Sequence, residues 1–284
     1  MDSRQAEQLP LWDDTLWDDG RAHDQRADAV PADDHRADAV PAEPVAGTAQ
    51  PVAAPPAPAW AARVGVFDLE TTGVDVSSDR IVTAHVGVLD ETGAVVESHS
   101  WMADPGVEIP AGATAVHGIT TERARAEGRP AAAVVAEVVA ALRGLFAAGI
   151  PVVAYNAPYD FSLLKYEALR HGLTPIAAPA PVIDPLVLDK AHDRFRKGKR
   201  TLEVVAAHYA VTLTGAHDAA ADAIAAGRVA QALAARFTLT ATAHELHTQQ
   251  IGWARTQAES LTEYFVRIGR IDPADPIDGS WPIR

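Results

Sequence analysis

Val64-Gly65-Val66-Phe67-Asp68-Leu69-Glu70-Thr71-Thr72-Gly73 is an apolar run that ends in two carboxylates and then breaks into a small polar turn. Side chains alternate along a strand, so Asp68 and Glu70 leave the same face a few ångströms apart. Like charges that close repel. Divalent cations between them keep both ionised, and hard oxygen ligands suit Mg²⁺ or Mn²⁺. A strand that merely ends in solvent shows the same pair, so corroboration has to come from the rest of the chain.

Around this run the pattern is that of alternating strands and helices. Strands are expected at 64–69, 80–89 and 94–101, the last two joined through a turn containing Gly93. An Ala/Val/Leu helix follows over 130–146 with Gly149 as its stop, then a strand at 151–155 and a helix from Pro158 to about His171. A short strand at 182–183, helices from Pro185, over 201–209 and over 218–236, and one more helix or helix pair over 240–268 complete the pattern. The Pro/Asp-rich end reads as loose. Strands alternating with helices after a β-meander argue for α/β layers on a mixed sheet.

The chain of 284 residues has room for a well-buried core. It contains no cysteine, which excludes disulfides, thiolate metal sites and a cysteine nucleophile. No apolar stretch is long enough for a membrane span and the N-terminus lacks a signal-peptide pattern, so the expectation is a cytoplasmic protein with no membrane partner. The net charge of -14 is unevenly spread: residues 1–59 hold 12 Asp/Glu against 4 Arg, and the rest holds 26 against 20 Lys/Arg. Cations bound at the acidic strand end would bring the body closer to neutrality, so charge does not exclude an anionic substrate.

Residues 1–59 are rich in Asp, Ala and Pro, with two short internal repeats, and read as a disordered tail. Residues 60–237 form the expected catalytic body and 238–284 a helical extension. Within the extension, Trp253, Leu261, Tyr264 and Phe265 suggest an amphipathic helix that packs on the core or on a partner.

Two further stretches match the opening carboxylates. Asn156-Ala157-Pro158-Tyr159-Asp160 passes from strand to helix and places Asp160 in the first helical turn. His217-Asp218-Ala219-Ala220-Ala221-Asp222 precedes an apolar helix, with Asp218 as N-cap and Asp222 in the first turn, where the helix dipole favours an ionised carboxylate. His217 falls in the loop before it.

D-x-E-T-T-G, N-x-x-x-D and H-x-x-x-x-D, in that order, resemble the three motifs of the DEDDh 3′–5′ exonucleases. The likeness is to the proofreading (epsilon) subunits of bacterial DNA polymerase III and covers about residues 62–237. Ala115-Val116-His117-Gly118-Ile119-Thr120 resembles a segment that this family places between the first two motifs. The resemblance implies a ribonuclease-H-like fold with a mixed five-stranded sheet flanked by helices. It also implies two Mg²⁺ (or Mn²⁺) ions, and metal ligands Asp68, Glu70, Asp160 and Asp222. His217 would take the proton of the attacking water, as an imidazole suits near neutrality. Thr71, Val74, Val116, His117 and Tyr159 fall where the family grips the terminal nucleotide. The implied reaction releases nucleoside monophosphates from DNA 3′ ends, in proofreading beside a DNA polymerase or in repair. Gln8-Leu9-Pro10-Leu11-Trp12 resembles the short peptide with which bacterial polymerases and repair factors enter a pocket of the sliding clamp. An incidental apolar patch is the other reading of those five residues.

Three features stay open on the residues alone. The basic stretch 190–200 is either a track for phosphates or a solvated loop. His244 and His247 lack a third ligand and read as surface residues. Asp184 is a helix cap or a buried acid. Rival functions are an exoribonuclease on the same core, a non-catalytic nucleic-acid adaptor, and an unrelated carboxylate-metal phosphatase.

Overall fold

The alternating run at the start of the globular part becomes the central strand of the sheet. The computed structural model describes residues 57–284; the clamp-like peptide and nearly all of the tail lie outside the described residues. After a short 3₁₀ turn at Ala59–Ala62 come β1 (Arg63–Thr71), β2 (Ile81–Asp90) and β3 (Val95–Asp104), paired antiparallel in series. The short helices α1 (Ala111–His117) and α2 (Thr121–Glu127) lead into the two-residue strand β4 (Arg129–Pro130). Then follow α3 (Ala131–Ala147), β5 (Val152–Val153), α4 (Ala157–Arg170), β6 (Val182–Ile183), α5 (Pro185–His192), α6 (Leu202–His208), α7 (Ala219–Arg236) and α8 (Ala243–Arg267). The six strands are ordered β4-β3-β2-β1-β5-β6, the five expected from sequence plus β4.

β1 is antiparallel to β2 and parallel to β5, and β5 is parallel to β6. The C-terminal ends of β1, β5 and β6 therefore open on one edge of the sheet, where α/β proteins hold their ligands. Alternation divides β1 between two cores. Phe67 and Leu69 pack toward α3 and α4, with the rings of Phe67 and Phe161 5.3 Å apart. Val64 and Val66 pack toward α5, α6 and α7. Asp68 and Glu70 continue the second face, so it turns acidic just where α7 begins.

α7 is built to lie close. Its buried face is Ala223, Ala226, Val229, Ala230 and Leu233. A Cβ on Gly227 would sit 2.5 Å from Val66 Cγ1 and 2.6 Å from Leu89 Cδ1. Each large apolar side chain buried in these layers contributes about 1.5–3 kcal/mol.

The single helix α8 packs against β6 and α5. It starts with a capping box at Thr242 and Glu245 and buries Leu246, Gln250 and Phe265. Two sequence expectations fail here. The C-terminal end is docked, not loose: Trp281 is buried and the Arg284 N–H donates to Ser162 Oγ at 2.8 Å. His247 is not a surface residue, since its Nδ1 accepts from the Val182 N–H at 3.1 Å and its ring lies 4.9 Å from that of Trp281. Both follow from the apolar area of Trp281, which outweighs the polar composition around it. Among the described residues, no helix is long and apolar enough to cross a membrane.

Candidate active site

Three carboxylates meet at the open edge of the sheet. One oxygen from each of Asp68, Glu70 and Asp222 lies within 4.8 Å of the others. Asp68 and Glu70 come from the end of β1, and Asp222 from the first turn of α7. Asp218 caps that helix, its Oδ1 accepting from the N–H groups of Ala220 and Ala221 at 3.1 Å each. Asp160, in the first turn of α4, stands beside the trio and outside that 4.8 Å limit. It is buried, and its Oδ1 accepts from the Leu69 N–H at 3.1 Å.

The electrostatics show what such crowding costs. Burial, then repulsion from Asp160, Glu70 and Asp222, holds Asp68 well above the usual carboxylate range. Burial, then the charges of Asp222 and Asp218, pushes Glu70 up to about 8. Burial also raises Asp160 and Asp222, against hydrogen bonds that favour their ionised forms. Asp222 Oδ1 is buried and, among the described residues, has no hydrogen-bond partner. A hard-oxygen donor set with an unused lone pair, whose protonation is favoured by burial and then by mutual repulsion, fits a divalent cation.

His217 lies in the loop before α7 with φ at 65°, in the left-handed region that a residue with a Cβ enters at a cost of about 1–2 kcal/mol. Its backbone N–H donates to Asp222 Oδ2 at 3.1 Å. Its exposed imidazole places Nε2 3.8 Å from Glu203 Oε1. Asn156, between β5 and α4, also has a positive φ of 60°. The N–H groups of Asn156 and Ala157 donate to the two oxygens of Asp184 at 2.9 and 3.0 Å. Asp184 also caps α5 through Leu186 and accepts from Trp281 Nε1 at 3.3 Å, so both of its sequence readings hold.

Beside the acids, Tyr159 Oη donates to the Gly73 carbonyl at 2.6 Å and shares a 2.5 Å hydrogen bond with Thr71 Oγ1. Burial drives the Tyr159 phenol upward, so it stays a donor. His117 Nδ1 accepts from the Ile119 N–H at 3.1 Å, which leaves the buried Nε2 to carry the proton of the neutral ring. Val74 and Val116 are 46% and 53% exposed. All ten residues named from the sequence, Asp68, Glu70, Thr71, Val74, Val116, His117, Tyr159, Asp160, His217 and Asp222, line one cavity of about 630 Å³.

The same cavity is lined by Glu203, Trp281 and Arg284, which the sequence reading did not include. Trp281 carried a signal, a large aromatic in a polar tail. Glu203 and Arg284 carried none.

A sequence model of a family described as exonuclease (RNase_T) matches residues 66–230. A DNA polymerase III subunit epsilon-like protein of Rhodobacter capsulatus is 38% identical over 125 residues, covering 43% of this chain and 16% of that protein. A PolC-type DNA polymerase III of Lacticaseibacillus paracasei is 32% identical over 169 residues, covering 59% of this chain and 11% of that protein. The chain thus spans well under a fifth of the length of these relatives. Among solved structures, E. coli exonuclease I in complex with a dA16 oligonucleotide superposes with a TM-score of 0.52 at 22% identity, over 60% of this chain and 40% of that one. That likeness speaks for the fold.

Proposed function

The chain belongs to the exonuclease family, and from that premise we propose that it is a metal-dependent 3′–5′ exonuclease of the DEDDh type acting on DNA, with residues 60–237 as its catalytic body. The observation that carries this reading is the approach of Asp68, Glu70 and Asp222 oxygens within 4.8 Å, with raised carboxyl pKa values and an unpartnered Asp222 oxygen. Its DNA substrate rests on the relatives named as DNA polymerase III proteins.

In this reading Asp68, Glu70, Asp160 and Asp222 would hold two Mg²⁺ or Mn²⁺ ions, which would supply positive charge at the scissile phosphate and acidify the attacking water. His217 accepts the proton as the water oxygen bonds to phosphorus and the bond to the 3′ oxygen breaks. Its strained loop and its N–H bond to Asp222 hold it at the cavity edge. The triangle of Tyr159, Thr71 and Gly73 fixes the turn against which the terminal nucleotide rests. His117 forms part of the wall beside that nucleotide, while Val74 and Val116 offer apolar contact to its base or sugar. Outside the described residues, Gln8-Leu9-Pro10-Leu11-Trp12 would tether the enzyme to a sliding clamp near a polymerase.

The test is product analysis on 5′-labelled DNA with Mg²⁺. A ladder shortening from the 3′ end with release of nucleoside monophosphates is expected. Preference for RNA over DNA would overturn the DNA assignment, and hydrolysis confined to small phosphomonoesters would overturn the nuclease.

A further inference from the structure

A second groove, of about 550 Å³, runs between the α5–α6 connection and the side of α8 that faces α5. We propose that this groove binds the strand of single-stranded DNA on the 5′ side of the nucleotide being removed. The direction of the strand rests on the exonuclease reading; the existence of the site does not.

The groove and the catalytic cavity share Lys190, Arg200, Gln257 and Leu261 as walls, so the two adjoin. Their charges are opposite. Among the described residues, the groove is lined by Lys190, Arg194, Arg196, Lys197 and Arg200 and by no carboxylate, Asp189 lying beneath Arg196 and Arg200, whereas acids dominate the catalytic cavity. A polyanion is attracted to the first and repelled by the metal-free second.

The basic stretch divides its labour. Arg196 and Arg200 reach the buried Asp189 Oδ2 at 2.5 Å each, and Arg200 also donates to the carbonyls of Asp189 and Asp193. These two build the floor. Among the described residues, Arg194 and Lys197 pair with no carboxylate and remain exposed at the rim. Phe195, between them in sequence and just outside the groove's lining, is 89% exposed, its ring centroid 5.9 Å from the Arg194 guanidinium. An aromatic ring left in water among cations is the combination that stacks bases of a single strand while the charges follow its phosphates.

The opposite wall is a helical stripe. Trp253, Gln257, Leu261 and Tyr264 recur at spacings of four, four and three on α8. Gln257 Nε2 donates to the Val187 carbonyl at 3.0 Å, and the Trp253 ring meets His192 edge-on at 5.3 Å, so the wall is fixed to α5. This helix lies beyond the residues that match the exonuclease family.

Fluorescence anisotropy of labelled (dT)12 in EDTA, where no hydrolysis occurs, tests the site with the full chain. Replacing two rim cations by the double variant Arg194→Glu, Lys197→Glu is expected to weaken (dT)12 binding at least about tenfold. It should also flatten the slope of log K against log salt by about 1.4, at about 0.7 per phosphate contact. Phe195→Ala is expected to weaken (dT)12 binding about fivefold with the slope unchanged. The dinucleotide dTpdT, too short to span groove and cavity together, should show far less difference than (dT)12 between the unsubstituted chain and the double variant. Unchanged affinity and slope in the double variant would overturn the site. So would equal loss for the dinucleotide, or a 12-base-pair duplex competing as well as the single strand. Tighter binding of (rU)12 than of (dT)12 would overturn the assignment of the strand as DNA. Failure of the nuclease reading appears separately, as an intact oligonucleotide with Mg²⁺, and leaves the anisotropy result standing.

Discussion

The backbone N–H of Leu69 donates to Asp160 Oδ1 at 3.1 Å, tying the start of α4 to the one residue that separates Asp68 from Glu70 on β1. The bond gives Asp160 two duties, holding the strand end and adding a fourth acid, and two substitutions separate them. Asp160→Asn keeps an oxygen acceptor and removes a repelled charge. Its Tm should match or exceed that of the parent while nuclease activity falls at least about 100-fold. Asp160→Ala leaves a buried N–H unsatisfied at about 1–3 kcal/mol, lowering Tm by about 3–10 °C. Thermal melts with equal Tm for both variants would contradict this division.

The crowded acids set a pH dependence whose sign is fixed. Glu70 is raised from 4.5 to about 8, so the folded chain holds a proton that the unfolded chain has released. Its contribution to stability is therefore complete below pH 4.5 and is lost as pH rises toward about 8. In EDTA, Tm should decline across that window, and Glu70→Gln should flatten the decline. Millimolar Mg²⁺ should flatten it as well, by binding the ionised form. A Tm that rises from pH 5 to 8 in EDTA, with no difference between parent and Glu70→Gln, would contradict the assignment.

Tyr159→Phe removes one hydroxyl from the triangle with Thr71 and Gly73 and leaves the ring in place. Loss of about 0.5–1.5 kcal/mol of hydrogen bonding should loosen the turn and raise KM about three- to tenfold, with kcat nearly kept. Steady-state kinetics on an oligonucleotide would show the split, and a fall confined to kcat would assign the phenol to the chemistry instead.

Asp184 accepts four donors: the N–H groups of Asn156, Leu186 and Ala157 and the Trp281 indole. Asp184→Asn turns one acceptor into a donor facing donors, at a cost of about 2–4 kcal/mol. Chemical denaturation should show that loss, together with earlier exposure of Trp281 by fluorescence. A variant as stable as the parent would remove Asp184 from the framework.

The sequence made the site legible where local chemistry carries it. Period two on β1 predicted the shared face of Asp68 and Glu70, and cap chemistry placed Asp160 and Asp222 in first helical turns. The meander and the long helices followed from the same patterns. What escaped is what only three dimensions decide. α1 and α2 are seven residues each, too short to show a period, although Gly118 at φ 74° and Thr120 end one and start the other. The docking of Trp281 onto Asp184, and the approach of Glu203 to His217, join parts of the chain that no local pattern links. The basic stretch read as one feature. Burial of Asp189 divided it into a structural pair and an exposed rim.

The central claim is that Asp68, Glu70 and Asp222 hold a divalent cation together. Calorimetric titration with Mn²⁺ at pH 8 measures it without substrate. The unsubstituted chain should bind Mn²⁺ with release of protons, and Asp222→Asn should bind it at least about tenfold more weakly at unchanged or higher Tm. Equal Mn²⁺ affinity in the two proteins would contradict the account.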